Sequence, residues 1–585
     1  MPYDSLTLRA VTEDLRAHLL GGRVDKVVQP ADLEVALLLR AESANHWLLL
    51  SAHAQHARVQ RTLQKQSGAY REPSAFVMLL RKYLEGARLR DVSQQAVDRV
   101  LQLTFHGAAG ETVLIAEVMG KYSNIILADD DMVVLGAVKH VRAEENRVRV
   151  VLPHHPYLLP PRPMQPPPHQ GRPKLDPLHS AGGDLTAALA IFDDATLLWK
   201  ALLDLVDGLS PMAAREVVYR TSGGVDTVLG DHRDLDTAMR LLAEVRDLYS
   251  PRRGSPSALW QQTKLVEWAA FPIRQYAVEP RRYEDVMALL DQVYAARAQS
   301  DALAGQRGPL VQQIETLRKS LRRKIASLEA SLTSPEALDA LRTQGEMVLA
   351  YQHSIAQGQR ELAIPELALI VALDPDLTPV ENAQRLFKRY QKARDAAVVV
   401  PALLEGARQD LAYLDQLAVH AAQAADPAAL AAVRDELREV LPAQSSTKGK
   451  QVKRQDQRGP HKGMKQRPGV LPLRVRAADG TEILIGRSAR QNEALTFSMA
   501  GPRDIWLHAR QIPGAHVIVR TNGHSPAQET LQQAAALAAY YSQARESTVV
   551  PVDYTAVRNV RRIKGGKPGM VHYAGESTLT VRPAG

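Results

Sequence analysis

Hydrophobic positions along the first 150 residues alternate with polar ones in short runs. The segments VDKVVQ (24–29), EVALLLRA (34–41), VLQLTF (100–105), ETVLIAEVM (111–119) and SNIILAD (123–129) read as strands, and PSAFVMLLRKYLEGARL (73–89) reads as a helix. Strands of this kind around a helix predict an α+β domain with an antiparallel sheet. From Leu152 to Leu178 prolines dominate. Proline neither donates to a strand ladder nor continues a helix, so an extended connector and a domain boundary are expected there.

From about Asp184 to Trp268 the spacing is helical. Within it, Asp207-Gly-Leu-Ser-Pro-Met-Ala-Ala-Arg215 places a glycine turn and a Ser-Pro start directly before a helix. That is the sequence form of a helix-hairpin-helix phosphate clamp, in which backbone N–H groups meet a nucleic-acid backbone. An ordinary helix cap in a small bundle has the same pattern.

Between Leu310 and Leu332, apolar residues recur every three or four positions (Leu310, Ile314, Leu317, Leu321, Ile325, Leu328, Leu332) among five cations. This predicts a long helix with one narrow seam, and a mean spacing of about 3.7 residues predicts a straight or slightly right-handed course. A second such arm, about Pro379 to Val440, is expected to break at Pro401 and to pair with the first as an antiparallel coiled-coil hairpin. The β-rich segment Glu361–Leu373 between the arms predicts a small knob at the far end. Residues 447–468 carry eight Lys and Arg against one acid and predict a basic linker, disordered in isolation and attracted to phosphate.

In the last stretch, from about Leu471, period-two alternation places Trp506, His508 and Arg510 on one side of a strand, opposite Ile505, Leu507 and Ala509. After a Pro-Gly turn, His516, Ile518 and Arg520 share a side, opposite Ala515, Val517 and Val519. If the strands pair, an aromatic ring, two histidines and two arginines form one platform suited to stacking on bases and gripping phosphates. The competing reading is a core tryptophan among solvated arginines. Ser525-Pro-Ala-Gln528 predicts a capping box opening a helix. Arg558, Arg561, Arg562, Lys564 and Lys567 surround a glycine-rich loop that lets backbone and cations approach phosphate. It lacks the Ser/Thr after Gly-Lys of a nucleotide-hydrolysing loop.

Near the start, Val97-Asp98-Arg99-Val100 reads as the opening of a strand, which would put Asp98 and Arg99 on opposite faces, each open to an outside partner. A charged strand start is the plainer reading. Glu117 to Asn124 reads as a strand followed by a glycine turn.

Composition narrows the partners. The 585-residue chain is too long for one core, so about two to four domains are expected. A formal net charge of +9 and a pI near 9.4 favour polyanionic partners. The absence of cysteine excludes disulfides, thiolate metal sites and cysteine nucleophiles. His508, His516, His524 and His572 lie amid cations that repel a metal ion, so no metal or other cofactor is expected. No apolar run is long enough to span a membrane and the N-terminus does not resemble a signal peptide, so a cytosolic protein without membrane partners is expected.

Seven blocks in order resemble the NFACT family: residues 21–30, 73–89, Asp98-Arg99, 117–127, 373–394, 504–520 and 564–573. The resemblance spans nearly the whole chain. It implies an α+β multidomain protein with a glycosylase-like NFACT-N domain (1–175), a helix-hairpin-helix domain (176–280), a coiled-coil and middle domain (281–443), a basic linker (444–470) and an NFACT-R RNA-binding domain (471–585).

It associates Asp98, Arg99, Glu117, Val118 and Met119 with tRNA, Val118 standing where isoleucine or leucine is more usual. For RNA binding it leaves Trp506, His508, Arg510, His516, Arg520, Arg561, Arg562, Lys564 and Lys567. By the same resemblance the protein is a non-catalytic quality-control factor. It would bind large (50S) ribosomal subunits and their rRNA obstructed by peptidyl-tRNA, and recruit alanyl-tRNA for template-free alanine tailing that marks the chain for degradation. Bond formation would belong to the ribosome.

An end after NFACT-R suits a bacterial-type member. Oligomeric state is left open, and there is room for a small RNA-binding helper protein. Two other readings compete. One is a DNA glycosylase or lyase using Pro2, against which Tyr3 stands where those enzymes have glutamate. The other is a surface adhesin that binds fibronectin, against which the chain shows no secretion signal.

Overall fold

The computed structural model describes residues 3–69, 72–144, 148–162, 173–250, 256–261, 264–440, 471–521 and 523–585. The basic linker and Pro2 lie outside them. The chain divides into two compact units, residues 1–299 and 300–585. Among the described residues no helix is long and apolar enough to cross a membrane.

The first unit is built on a nine-stranded antiparallel sheet. Its spatial order is Arg58–Thr62, Ala44–Ser51, Glu34–Ala41, Arg23–Val28, Arg88–Gln94, Val100–Gly107, Gly110–Glu117, Asn124–Asp129 and Val134–Ala137. The five segments read as strands from their alternation are all strands here. The first helix, Ser5–Leu19, supplies Leu8, Val11, Leu15 and Leu19 to a core that also takes Val77, Leu80 and Leu84 of the helix Ala75–Leu84. A sheet buries one apolar face only if something covers it, and these two helices do so.

Residues 163–172 of the expected connector lie outside the described residues, and its flanks are pinned. Val151 bridges to Val141 and Pro156 to Val133, while Leu175 bridges to Val206. The helices Gly182–Leu189, Leu198–Leu205, Pro211–Ser222 and Leu235–Tyr249 then enclose a second core. The helical pattern does not continue to Trp268. Ser257–Gln261 and Lys264–Ala269 form a hairpin, joined by the two residues Arg281–Arg282 into a three-stranded sheet. Trp268 faces the first core, an apolar position compatible with either period in so short a run.

In the second unit, the helix Val286–Ala330, whose first residues belong to the first unit, runs antiparallel to Pro379–Gln423. Arg307 donates to the Ala424 carbonyl, Arg318 pairs with Asp415 and Arg408 with Glu329 at 2.7 Å. Leu310 and Ile314 meet Tyr413, Leu414, Leu417 and Leu430 in the seam. The expected break at Pro401 is absent. The helix passes through Pro401 and ends at Gln423, and the next helix starts at Pro427. The neighbouring Val398 and Val399 are exposed, so water can take the Ala397 carbonyl that proline leaves without a donor. Beyond the hairpin, the strands Glu361–Ile364 and Leu369–Ala372 pair and pack on the helix Pro335–Ala350, which the sequence reading did not include.

The last part of the chain forms a six-stranded antiparallel sheet in the order Leu473–Arg476, Glu482–Ile485, Val517–Val519, Ile505–Ala509, Val550–Ala556 and Ser577–Val581. The helix Gln528–Tyr540 covers one face. Its N-cap is Ala527 with no side-chain bond, so the capping box expected at Ser525 does not form. Replacing Pro401 with alanine restores a mid-helix N–H. Chemical denaturation of Pro401→Ala should show the second unit stabilised by about 1–3 kcal/mol, and an unchanged or lower midpoint would contradict a continuous helix there.

Candidate nucleic-acid interface

The N-terminal site begins at a buried serine. Ser5 Oγ donates to the Val97 carbonyl and accepts from Tyr249 Oη at 3.1 Å and Gln94 Nε2 at 3.1 Å. Gln94 also donates to the Asp98 carbonyl at 2.7 Å, and Ala96 takes a positive φ of 46°. Residues 95–99 are therefore a tight turn before the strand Val100–Gly107, and Asp98 and Arg99 are not strand residues pointing to opposite faces. Sequence alternation could not show this, because the serine that shapes the turn lies about ninety positions away. Both residues are half-buried, and the Asp98 carboxylate accepts from the Arg99 N–H at 2.6 Å.

The glycine turn before Pro211–Ser222 packs against this one. Gly208 has φ +74°, and a Cβ there would lie 2.8 Å from the Val97 carbonyl oxygen and 2.3 Å from the Tyr249 hydroxyl. Only glycine fits. Ser210 accepts from the Ala213 N–H as the helix cap and donates to Asp4 at 2.7 Å. Between the two turns lies a cavity of about 330 Å³, lined in part by Asp98, Arg99, Lys174, Asp207, Gly208 and Ser210. Burial pushes the Asp207 carboxyl up and the Lys174 amine down. Neither Lys174 nor Asp207 was singled out from the sequence as a site residue.

The strand end at Glu117 is joined to the same turn, since Val118 N–H donates to the Arg99 carbonyl at 2.9 Å. Asp98, Arg99, Val118 and Met119 are thus brought together. Glu117 and Val118 are nonetheless buried, and neither presents its side chain to a partner. Arg149 Nη2 donates to both oxygens of Glu117 at 2.7 Å, and Tyr157 donates at 2.9 Å. Burial pushes the Glu117 carboxyl up, against the pull of Arg149. Its part is to fix the strand end, and Met119, partly buried, packs beside it.

Tyr3 is a core residue whose hydroxyl donates to the Val59 carbonyl at 2.6 Å. It supplies no carboxyl where a glycosylase has one.

In the second unit, Trp506 pairs with Ile518 and the alternation of faces is as expected. The expected open platform is not there. Trp506 is fully buried, in a core with Leu484, Leu495, Ile518, Val557 and Val560, covered by Phe497, Met499, Val571 and Tyr573. His516 is buried and its Nδ1 shares a 2.8 Å hydrogen bond with Thr496, while His508 is partly buried and stacks on Trp506 at 5.6 Å. Period two tells which residues share a face but not what covers it. Here the cover is the segment Leu495–Met499 and the hairpin formed by Val560–Arg562 and Val571–Tyr573.

A third histidine, His420 of the long helix, is buried in the same unit. Desolvation pushes all three down, His420 to about 4 and His516 well below its ordinary range.

Four of the cations expected on the RNA face have acidic partners. Arg510 pairs with Asp553 at 3.4 Å, Arg520 with Asp504 at 3.3 Å, Arg562 with Glu493 at 3.0 Å and Lys567 with Asp410 at 3.0 Å. Arg558, Arg561 and Lys564 are exposed, with no such pairing among the described residues. These three cations lie on the hairpin Val560–Tyr573 or just before it.

Comparison with known proteins bears on the whole chain. Residues 4–456 match the model of the NFACT N-terminal and middle domains, and residues 473–575 match the NFACT protein RNA binding domain. The chain belongs to the NFACT family. Among NFACT relatives, the "Rqc2 homolog RqcH" of Bacillus subtilis is 33% identical over 598 residues, covering 100% of this chain and 98% of that one. Its namesake in Streptococcus suis is 32% identical with the same coverage.

The human "Ribosome quality control complex subunit NEMF" is 29% identical over 25% of this chain and 13% of its own. Solved N-terminal and C-terminal structures of the fibronectin/fibrinogen-binding protein from Streptococcus suis match at 30% and 32% identity. They cover 50% and 48% of this chain and 99% and 96% of their own, with TM-scores of 0.41 and 0.35.

Two outcomes follow from this geometry. Gly208→Ala should cost about 1–3 kcal/mol in the first unit's unfolding, because its Cβ meets backbone and the φ is strained; wild-type stability would show that the two turns are not in contact. His420 and His516, both buried, take up protons far more readily in the unfolded chain than in the folded one, so stability should fall as pH drops from about 6.5 toward about 4. His420 alone accounts for on the order of 3 kcal/mol. A melting temperature of the second unit that holds constant over that window would contradict their burial.

Proposed function

We propose that this NFACT protein is a ribosome-associated quality-control factor that recognises RNA at two places and has no reaction centre of its own. It binds 50S subunits carrying peptidyl-tRNA and recruits alanyl-tRNA for template-free alanine tailing of the stalled chain. The observation that carries the reading is the bond between Arg99 and Val118. Through it the Glu117–Met119 strand end is tied to the Asp98-Arg99 turn, which lines a cavity opposite the glycine turn of Asp207–Pro211. The full-length likeness to bacterial RqcH supports it.

In this reading the helix start at Ser210-Pro211 belongs to a helix-hairpin-helix clamp and the first domain is glycosylase-like. The paired long helices are a coiled-coil hairpin that offers a partner surface. Cations of the NFACT-R domain supply the salt-dependent attraction to rRNA. The protein's contribution to bond formation is positioning, since holding two reactants in register supplies much of the barrier reduction. The protein acts in the cytoplasm, and a small RNA-binding helper can share the subunit.

Gradient sedimentation of the full chain with ribosomal particles tests this. It should travel with free large subunits that carry peptidyl-tRNA; association only with intact ribosomes, or with none, would refute the reading. Asp98→Ala combined with Arg99→Ala should keep subunit association and reduce co-purifying tRNA by about tenfold or more, the effect of losing roughly 1.4 kcal/mol. Equal loss of both would refute the division of labour.

A further inference from the structure

Among the aromatic side chains of the described residues, Tyr122 is the most exposed, at 71%, against 41% for Tyr351 and 37% for Tyr276. It belongs to none of the hydrophobic cores. It closes the short turn Gly120–Tyr122 between the strands Gly110–Glu117 and Asn124–Asp129, and that turn is tightly held. Tyr122 N–H donates to the Met119 carbonyl at 3.2 Å and Ser123 N–H to the Gly120 carbonyl at 3.1 Å. Met119 N–H donates to the hydroxyl of fully buried Ser123 at 2.7 Å. The ring is therefore presented to solvent from a fixed backbone. Lys121, also exposed, sets its ammonium 4.9 Å from the ring centroid.

The position matters as much as the exposure. Val118, one residue before Met119, is bonded to the Arg99 carbonyl, so the ring and its cation stand one turn of chain from the Asp98-Arg99 rim. Trp506, the ring the sequence offered for stacking, is inside a core. A rigid, solvated aromatic beside a cation is what holds a base that has left its stack, the ring taking the base face and the cation the adjoining phosphate. In the isolated protein the ring does no packing, and leaving so large an apolar surface in water is unfavourable.

We propose that Tyr122 is the stacking platform for an unpaired nucleobase of the tRNA held at Asp98 and Arg99, with Lys121 meeting the neighbouring phosphate. This rests on the tRNA-binding reading above and adds to it a positioning residue. Stacking and charge differ in their salt response, which makes the two roles separable. Releasing counterions gives a slope of log affinity against log salt that falls by about 0.7–0.9 for each lost phosphate contact, whereas losing a stack leaves the slope alone.

The test is fluorescence anisotropy of full-length protein with labelled alanyl-tRNA across a salt series. Tyr122→Ala should raise Kd about tenfold, which is about 1.4 kcal/mol, with unchanged slope and unchanged melting temperature. Tyr122→Phe and Tyr122→Trp should stay within about twofold of wild type, and Lys121→Ala should lower the slope by about one contact. Wild-type affinity in Tyr122→Ala, or a Tyr122→Phe as weak as Tyr122→Ala, would overturn the stacking role. Absence of tRNA binding by the wild-type protein would instead overturn the reading on which it rests.

Discussion

The N-terminal half is organised around a buried polar junction. Ser5 bonds to Val97, Gln94 and Tyr249, and its neighbour Asp4 accepts from Ser210, so one helix start ties together a sheet turn, a glycine turn and the helix Leu235–Tyr249. A buried network is favourable where its members are satisfied; each hydroxyl here has its partner, while the Gln94 Oε1 has none among the described residues. Because Gly208 has no side chain, the two turns approach closely enough for the network to close. The cavity between them, and the placing of Asp98 and Arg99 on its rim, follow from that closure.

Glu117 serves the same end from the opposite side. Its carboxylate, bonded to Arg149 and Tyr157, fixes the strand end whose next residue holds the Arg99 carbonyl. A buried ion pair of this kind is sensitive to loss of either partner, since the survivor is left as an uncompensated charge. Glu117 thus acts on the Asp98-Arg99 turn through the backbone and presents no side chain of its own to solvent. In the second unit the arrangement is different. Cations are spread over a surface, and four of them, Arg562 and Lys567 of the hairpin Val560–Tyr573 included, are paired with acids.

Much of this was legible in the sequence because local rules apply where elements are local. The strands from Val100 to Asp129 and the long helices carry their periods openly. The faces of Ile505–Ala509 were correctly divided. What alternation cannot carry is the identity of the cover. The burial of Trp506 depends on Leu495, Val557 and Val571, and the turn at Asp98 depends on Ser5. Pro401 shows the converse, where a strong local signal for a break is overridden because the helix is held after it by the hairpin seam and before it, through Ala383 and Leu386, by the small sheet and the helix Pro335–Ala350. The hairpin of Ser257–Ala269 was missed because its short strands carry too few residues to separate one period from the other.

The proposed function turns on tRNA engaging the rim of the cavity between the two turns while the protein is on the large subunit. A photo-crosslinking amino acid at Leu209, on the rim of that cavity, tests it in the full-length protein bound to 50S particles carrying peptidyl-tRNA. The account predicts that irradiation joins the protein to tRNA at this position. Crosslinks to ribosomal RNA alone, or none to RNA, would contradict it.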